Sequence, residues 1–281
     1  MKKSKLLIFI VAYNHEKTIE SVIKRIPKKL TNLYDLEILI IDDASSDKTF
    51  EISKKIQRNQ KKNNLKVKVF YNPINQSYGG NQKIGYHYSI KKKFDFVVLL
   101  HGDGQYAPEE LPKLLNGLQN DKLDVVIGSR MIKKKNALKG GMPLYKLIGN
   151  IILTKIQNFF LNKNLAEFHS GYRIYSVKSL KSIPFHLNTN DFHFDTEILI
   201  QLFLINSKIK EISIPTFYGN EICHVNGMKY AFNIIKTTLI ASLQNNIDLK
   251  FSKKYTKNNQ IRKFYKNQII DKLLVEAKKR N

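Results

Sequence analysis

The chain has 281 residues, with 48 Lys and Arg against 23 Asp and Glu for a formal net charge of +25, and it is 42% hydrophobic and 11% aromatic. That apolar content excludes a disordered chain, the length suffices for one sizeable core with an appendage, and the lack of a run of about 18 uncharged apolar residues argues against a membrane-spanning helix. The lysines are dispersed and no nucleic-acid module accompanies them, so nucleic acid is not an expected partner; an anionic membrane surface, which attracts dispersed lysines without any motif, is.

Met1-Lys2-Lys3-Ser4-Lys5 ahead of Leu6–Ala12 imitates a secretory leader. The apolar run is short, lacks a small-residue cleavage site and passes straight into Tyr13-Asn14-His15-Glu16, so it reads as a first strand. Cys223 is the single cysteine, which rules out an internal disulfide and suits a reducing cytoplasm. Ile19, Val22, Ile23 and Ile26 repeat at helical spacing, with Asn14 as the candidate cap and Pro27 as the stop. Further strands are predicted at Leu36–Ile41, over the alternating Leu65-Val67-Val69-Tyr71, at Phe94–Leu100, at Val125–Ile127 and at Lys210–Pro215. Strand and helix alternation predicts an α/β fold with a mostly parallel, Rossmann-like sheet and helices on both faces. Neither the dinucleotide fingerprint nor the P-loop occurs.

In such sheets ligands bind beyond the carboxyl ends of the strands, and three strand ends here carry polar residues. The second ends in Asp42-Asp43-Ala44-Ser45-Ser46-Asp47, where one carboxylate can face the crevice while the other braces the loop. After the third, Asn75 to Gly85 places Gly79 and Gly80 at a helix start with Lys83 behind them, either an anion site or an ordinary glycine turn. The fourth stops at His101-Gly102-Asp103-Gly104-Gln105 before Pro108-Glu109-Glu110 opens a helix. That turn is also either a site or a flexible connection.

In the second half, Asp191 to Ile198 opens a helix whose Asp191, Asp195 and Glu197 are either first-turn dipole partners or acid-base groups. Thr216 to Gly227 is a polar, glycine-containing loop suited to a mobile lid, and its His224 is a late metal or phosphate ligand or a solvated histidine. Leu144–Leu161 and Ala231–Leu243 are core helices or membrane-interface helices. Residues 250–281 read as a basic tail containing one short helix, solvated or tethered to anionic lipid.

Ala12-Tyr13-Asn14-His15-Glu16, Ile41 to Thr49, the glycine segment ending at Gly85, the Asp-Gly-Gln turn, Asp124 to Arg130 and Ser170-Gly171-Tyr172-Arg173 occur in an order that resembles family 2 glycosyltransferases. The likeness is to the dolichyl-phosphate mannose synthase and polyprenyl-phosphate sugar transferase branch, over about residues 5 to 230. It implies a GT-A fold over 1–249, with a nucleotide-sugar half to about residue 130 and an acceptor half from 131. It also implies a UDP- or GDP-sugar donor, a polyprenyl-phosphate or lipid-linked acceptor, and work at the cytoplasmic face of the plasma membrane. A soluble or surface glycan acceptor, or a non-catalytic nucleotide-sugar-binding subunit, are the alternatives. By this resemblance Ala12, Tyr13, Glu16 and Asp43 surround base and ribose, Asp103 ligates Mn²⁺ or Mg²⁺ on the diphosphate with Gln105 nearby, and Arg130 and Arg173 approach phosphate oxygens. Asp195 or Glu197 faces the reaction, with Asp195 favoured as base. The family's metal motif has two acids around one residue, and His101-Gly102-Asp103 retains the second alone. An imidazole in the first position favours Mn²⁺ over Mg²⁺.

Overall fold

The computed structural model describes residues 2–60, 65–219, 226–246 and 268–279. Seven strands, β1 (Lys5–Ala12), β2 (Asp35–Asp42), β3 (Lys66–Tyr71), β4 (Phe96–His101), β5 (Val125–Ser129), β6 (Arg173–Ser176) and β7 (Ile209–Ser213), form one sheet in the order β3-β2-β1-β4-β6-β5-β7. The described helices are α1 (Ile19–Lys24), α2 (Leu30–Leu33), α3 (Thr49–Gln60), α4 (Ser77–Lys91), α5 (Leu111–Asn120), α6 (Lys134–Lys139), α7 (Leu144–Leu161), α8 (Val177–Lys181), α9 (Phe194–Leu204), α10 (Gly227–Asn246) and α11 (Gln268–Lys278).

Successive strand residues point to opposite faces, and β1 is buried on both. Leu6, Ile8 and Ile10 enter one core with Val22 of α1, Ile56 of α3 and Leu114 of α5. Leu7, Phe9 and Val11 enter the other with Ile84 of α4 and Ile198 of α9. The result is a three-layer α/β sandwich, as expected from the alternation of apolar runs.

β1 pairs in parallel with β2 on one side and β4 on the other. The chain moves outward from β1 to β2 and β3, then returns to the far side of β1, so the crevice between β1 and β4 is a topological switch point. Ala12 lies opposite Asp42, and Val11 opposite both Ile41 and His101, so three strands end flush at that crevice. Asn14, Ala44 and Ser77, each just past one of the ends of β1, β2 and β3 or at the start of α4, hold positive φ of 56°, 62° and 63°. Such left-handed non-glycine residues cluster where a loop is held for a ligand.

The structure adds one strand and moves one cap. Ser170-Gly171-Tyr172-Arg173 leads into a strand, and β6 runs antiparallel to both β4 and β5. Four residues with a buried Arg and Tyr give no periodic signal, which is why no strand is predicted there from the sequence. Asn14 does not cap α1; its Oδ1 accepts from the Ser46 amide at 2.9 Å, tying the loop after β1 to the loop after β2.

The short helix in the basic tail is α11, and it is docked rather than solvated. Ile270, Leu274 and Ala277 are buried in the same core as α4, and Asp271 accepts from His87 Nε2 at 2.6 Å and pairs with Lys91. Deleting residues 268–281 is therefore expected to lower unfolding free energy by about 3–5 kcal/mol, the scale of re-exposing two large aliphatic side chains. Urea denaturation of the two chains checks this, and an unchanged midpoint would mean that α11 contributes nothing to the core.

Candidate active site

A cavity of about 2280 Å³ opens at the switch point and runs from the loops after β1, β2 and β4 to the space between α7 and α10. Its polar end is lined by Ala12, Tyr13, Glu16, Asp43, Asp103 and Gln105, so six residues expected around the donor face one space. Backbone-directed bonds fix them. Asp43 Oδ1 accepts from Asn72 Nδ2 at 2.7 Å and from the Gln76 amide at 2.8 Å, Glu16 Oε2 accepts from the Lys48 amide at 3.0 Å, and Asp103 Oδ1 accepts from the Gln105 amide at 3.0 Å. Burial pushes the Asp43 carboxyl up from its ordinary value.

Asp42, the other half of the acidic pair, is fully buried away from the cavity and braces the loop by accepting from the Ser45 amide at 2.8 Å. Its Oδ2 has no hydrogen-bond partner, and burial pushes its carboxyl up to about 6. An acid whose folded value is raised above 3.8 costs stability progressively as pH rises past the unfolded value, in full once pH exceeds the folded one, and costs nothing below the unfolded one. Asp42→Asn is therefore expected to stabilise the protein by about 1–3 kcal/mol at pH 7.5, with the gain vanishing as pH falls from 6 to 4. Chemical denaturation at the two ends of that window measures it; a gain independent of pH would mean another cause.

At the centre of the cavity a hydrogen-bonded chain links three elements. Tyr78, in the first turn of α4, donates its O–H to Asp195 Oδ2 at 2.9 Å and lies 3.1 Å from His101 Nε2. Gln82 Nε2 donates to Asp195 Oδ1 at 3.2 Å. With the Tyr78 proton committed to Asp195, His101 holds its own proton on Nε2, which leaves a lone pair on Nδ1. Burial lowers the His101 pKa, which favours this neutral ring. Nδ1 faces Asp103 Oδ2 at 4.0 Å. The close approach requires Gly171, because a Cβ there would sit 2.8 Å from the Tyr78 hydroxyl and closer still to the His101 ring.

Two electron-pair donors facing one another without a proton between them fit a shared divalent cation better than they fit each other. Among the described residues no cluster of three or more His, Cys, Asp or Glu could hold a metal by itself, so a donor diphosphate would have to complete the shell. His224 lies outside the described residues.

Other expected site residues have different work. Lys83 does not face the cavity; its ammonium donates to the Asn188 carbonyl and to Asn190 Oδ1 at 2.7 Å. The amides of Gly79 and Gly80 donate to the Asn190 carbonyl at 2.7 and 3.2 Å, so the start of α4 clamps the loop before α9 instead of offering an anion site. Glu197 is buried and accepts from the Thr189 amide at 2.6 Å, bracing the same loop, whereas Asp195 lines the cavity. Arg173 has 0% exposure. Its guanidinium donates to the carbonyls of Phe168, Ser170 and Asp195 at 2.7 to 2.8 Å, so it joins β6 to α9 and is not part of the cavity lining.

Arg130 does reach the cavity wall, as half of a buried pair. Glu167 accepts from its Nε at 3.0 Å, from its Nη2 and from its backbone amide at 2.8 Å. Burial alone would push the Glu167 carboxyl up, yet the guanidinium holds it below its ordinary value. Arg130 Nη1 also donates to the Tyr218 hydroxyl at 3.0 Å, and the Lys146 ammonium lies 5.1 Å from the Tyr218 ring centroid. Lys146 projects from α7 into the same cavity and was not legible as a site residue. Nor was His169, which bonds to the Tyr230 hydroxyl at 2.9 Å through Nδ1 and whose ring burial pushes down to about 4. Its position immediately before Ser170-Gly171-Tyr172-Arg173 was the available signal.

A mostly parallel sheet with a carboxylate-lined crevice at its switch point, and a second half closing it, is the GT-A fold of nucleotide-sugar transferases. Solved structures of glucosyl-3-phosphoglycerate synthase from Mycobacterium tuberculosis share it. The complex with UDP has a TM-score of 0.58 at 18% identity, covering 88% of this chain and 81% of that one. The complex with Mn²⁺ and UDP-glucose has a TM-score of 0.57 at 16% identity, covering 86% and 78%. The family model of glycosyl transferase family 2 matches residues 7–183, and the chain belongs to that family. It is 30% identical over 221 residues to the UDP-N-acetylglucosamine–dolichyl-phosphate N-acetylglucosaminyltransferase of Methanococcus voltae, covering 76% of this chain and 86% of that protein. It is 24% identical over 223 residues to the undecaprenyl-phosphate mannosyltransferase of Micrococcus luteus, covering 78% and 85%. The protein is a nucleotide-sugar-dependent glycosyltransferase similar to polyprenyl-phosphate sugar transferases.

Proposed function

We propose that the protein transfers a sugar from a UDP- or GDP-linked donor to a polyprenyl phosphate, with inversion at the anomeric carbon, at the cytoplasmic face of the membrane and in the service of cell-surface glycan synthesis. The observation that carries this reading is the junction at Tyr218. Arg130 and Lys146 converge there, at the point where the polar cavity passes into an apolar arm lined by Gly149, Leu153, Ile156, Ala231 and Ile235. The Lys146 ammonium at the mouth of an apolar channel, beside the Glu167-paired Arg130, suits a phosphate carried on a hydrocarbon chain. The names of the two relatives support the same acceptor class.

On this reading residues up to about 130 hold the donor and those from 131 to 249 hold the acceptor. Asp43, Glu16 and Tyr13 take the nucleoside. His101 and Asp103 would hold Mn²⁺ or Mg²⁺, which when bound neutralises charge on the donor diphosphate. A phosphate oxygen of the acceptor attacks C1 of the sugar from the face opposite the diphosphate; the new C1–O bond forms as the old one breaks, and the nucleoside diphosphate leaves with the electron pair. Asp195 takes the proton when the acceptor phosphate carries one. In-line displacement of this kind inverts the centre. Tyr78 and Gln82 orient the carboxylate throughout.

A panel of UDP- and GDP-sugars offered with a polyprenyl phosphate, with product mass measured, tests this. A sugar-phosphate-prenol mass is the expected result. Transfer to a glycan alone would replace the acceptor assignment, and donor binding without any transfer would return the chain to a binding role.

A further inference from the structure

Helices α7 and α10 are amphipathic in the reverse of the usual sense. A helix on a water-soluble surface buries its apolar stripe and exposes polar residues. In α7 the outward stripe is Leu144, Ile148, Ile152, Lys155 and Phe159, while Asn150, Thr154 and Gln157 are buried. In α10 the outward residues include Met228, Phe232, Lys236 and Leu243, while Thr237, Thr238, Ser242 and Gln244 are buried beside Ile234 and Ala241. Tyr145, Phe159 and Met228 are 72%, 80% and 85% exposed. Large apolar side chains left outside polar ones call for an apolar medium beyond them.

The charges on these helices select which medium. Neither α7 nor α10 contains an Asp or Glu, and their charged residues are Lys146, Lys155, Lys229 and Lys236. Lys133, Lys134, Lys135 and Lys139, all exposed, sit in and beside α6, which packs on α7. Lysine stems lie along apolar surface while their ammonium groups reach an anionic layer. No helix among the described residues is long and apolar enough to cross a membrane. The pattern therefore suits helices lying in the plane of an interface. The site is continuous with this face, because Tyr145, Ile152 and Met228 are exposed and also line the cavity.

We propose that the outward faces of α7 and α10 are a docking surface for an anionic bilayer, seated at headgroup depth so that the apolar arm of the cavity opens towards the acyl region. This deepens the proposed acceptor assignment and rests on it for the orientation, though not for the binding itself.

The test is flotation of the full-length chain with phosphatidylcholine vesicles, with and without about one-third phosphatidylglycerol. Ile148→Ser/Phe232→Ser is compared with the unaltered chain; both side chains are exposed and outside the cavity lining, and circular dichroism checks that the fold is kept. The unaltered chain is expected to float with the anionic vesicles. The double variant should lose about tenfold in partition for each side chain removed from lipid. Lys155→Glu/Lys236→Glu should lose binding to anionic vesicles while its partition to neutral ones changes little. A chain that does not float, or a Ser variant that floats as well as the unaltered one, overturns the proposal. So does gel filtration showing a dimer that the Ser substitutions dissolve, since the face would then join two copies. Transfer to a short-chain prenyl phosphate in detergent, measured in parallel, separates the two ideas: flotation without transfer refutes the acceptor assignment alone, and transfer without flotation refutes the docking surface alone.

Discussion

Asp195→Asn is expected to slow transfer to a polyprenyl phosphate by about 100-fold at pH 5.5 and by less than about tenfold at pH 8. The difference comes from the acceptor. A phosphate monoester loses its second proton near pH 6, so at pH 5.5 the attacking oxygen sheds a proton on the way to the product, and at pH 8 it does not. Asp195 lines the cavity with its carboxylate held by Tyr78 and Gln82, and the Arg173 guanidinium lies 3.8 Å from Oδ1. An amide keeps an acceptor oxygen for one of those two donors and takes up no proton, so the pH profile should change shape; it also removes the countercharge beside the buried Arg173, so the melting temperature should fall and is measured alongside. Glu197→Gln retains an acceptor for the Thr189 amide and should leave that profile as it is. Single-turnover rates across pH 5.5 to 8 decide the matter. A loss of equal size at both ends would indicate a hydroxyl acceptor, whose proton must be removed at every pH, and no loss at either end would remove Asp195 from the chemistry.

The contrast between Asp195 and Glu197 also marks where sequence stops being informative. Both stand in the first turn of α9 after the same loop, and only the packing of Thr189 against one and Tyr78 against the other separates a brace from a site residue. Lys83 and Arg173 are misread for a related reason. A cation near a glycine turn or a family motif suggests phosphate, but each is consumed by carbonyl oxygens of a non-local segment, Asn188 for Lys83 and Phe168, Ser170 and Asp195 for Arg173. Asn188 and Asp195 lie 105 and 22 residues from their cations, and the nearer Phe168 and Ser170 accept through backbone carbonyls, which no residue type announces. What was legible depended on strand ends. Ala12, Asp43 and Asp103 follow apolar runs long enough to fix β1, β2 and β4, and parallel register then brings their ends together without reference to any side chain. β6 escaped because a four-residue strand has too few positions to display a period. The reversed polarity of α7 and α10 escaped because apolar content shows that a helix has an apolar stripe and not which way the stripe faces.

The HGDGQ turn carries the remaining large effect. Asp103→Asn is expected to weaken Mn²⁺ binding in the presence of UDP by about 100-fold, the upper end of what loss of even an outer-shell partner costs, and to slow transfer by a comparable factor. Asp103 Oδ1 is committed to the Gln105 amide, so Oδ2, 4.0 Å from His101 Nδ1, is the oxygen available to a cation. An amide in its place presents either a neutral oxygen or an N–H to that position, and neither replaces the lost charge. His101→Phe removes the other donor while keeping a ring beside Tyr78, Tyr106 and Gly171. If the imidazole is a ligand, the variant should shift preference from Mn²⁺ towards Mg²⁺ as well as weaken both, because an all-oxygen shell is the harder one. Titration calorimetry with each metal, on UDP-saturated protein, reads this without reference to turnover. If His101→Phe weakens Mn²⁺ and Mg²⁺ equally, the ring serves to hold Tyr78 and Asp195 rather than the metal. If Asp103→Asn leaves Mn²⁺ affinity intact, the cation site lies elsewhere and the carboxylate only shapes the turn. Of the two substitutions, the first tests the residue that the resemblance supplied. The second tests the one that departs from it, and a metal preference that follows His101 would make that departure an adjustment of the site to a softer cation instead of a loss.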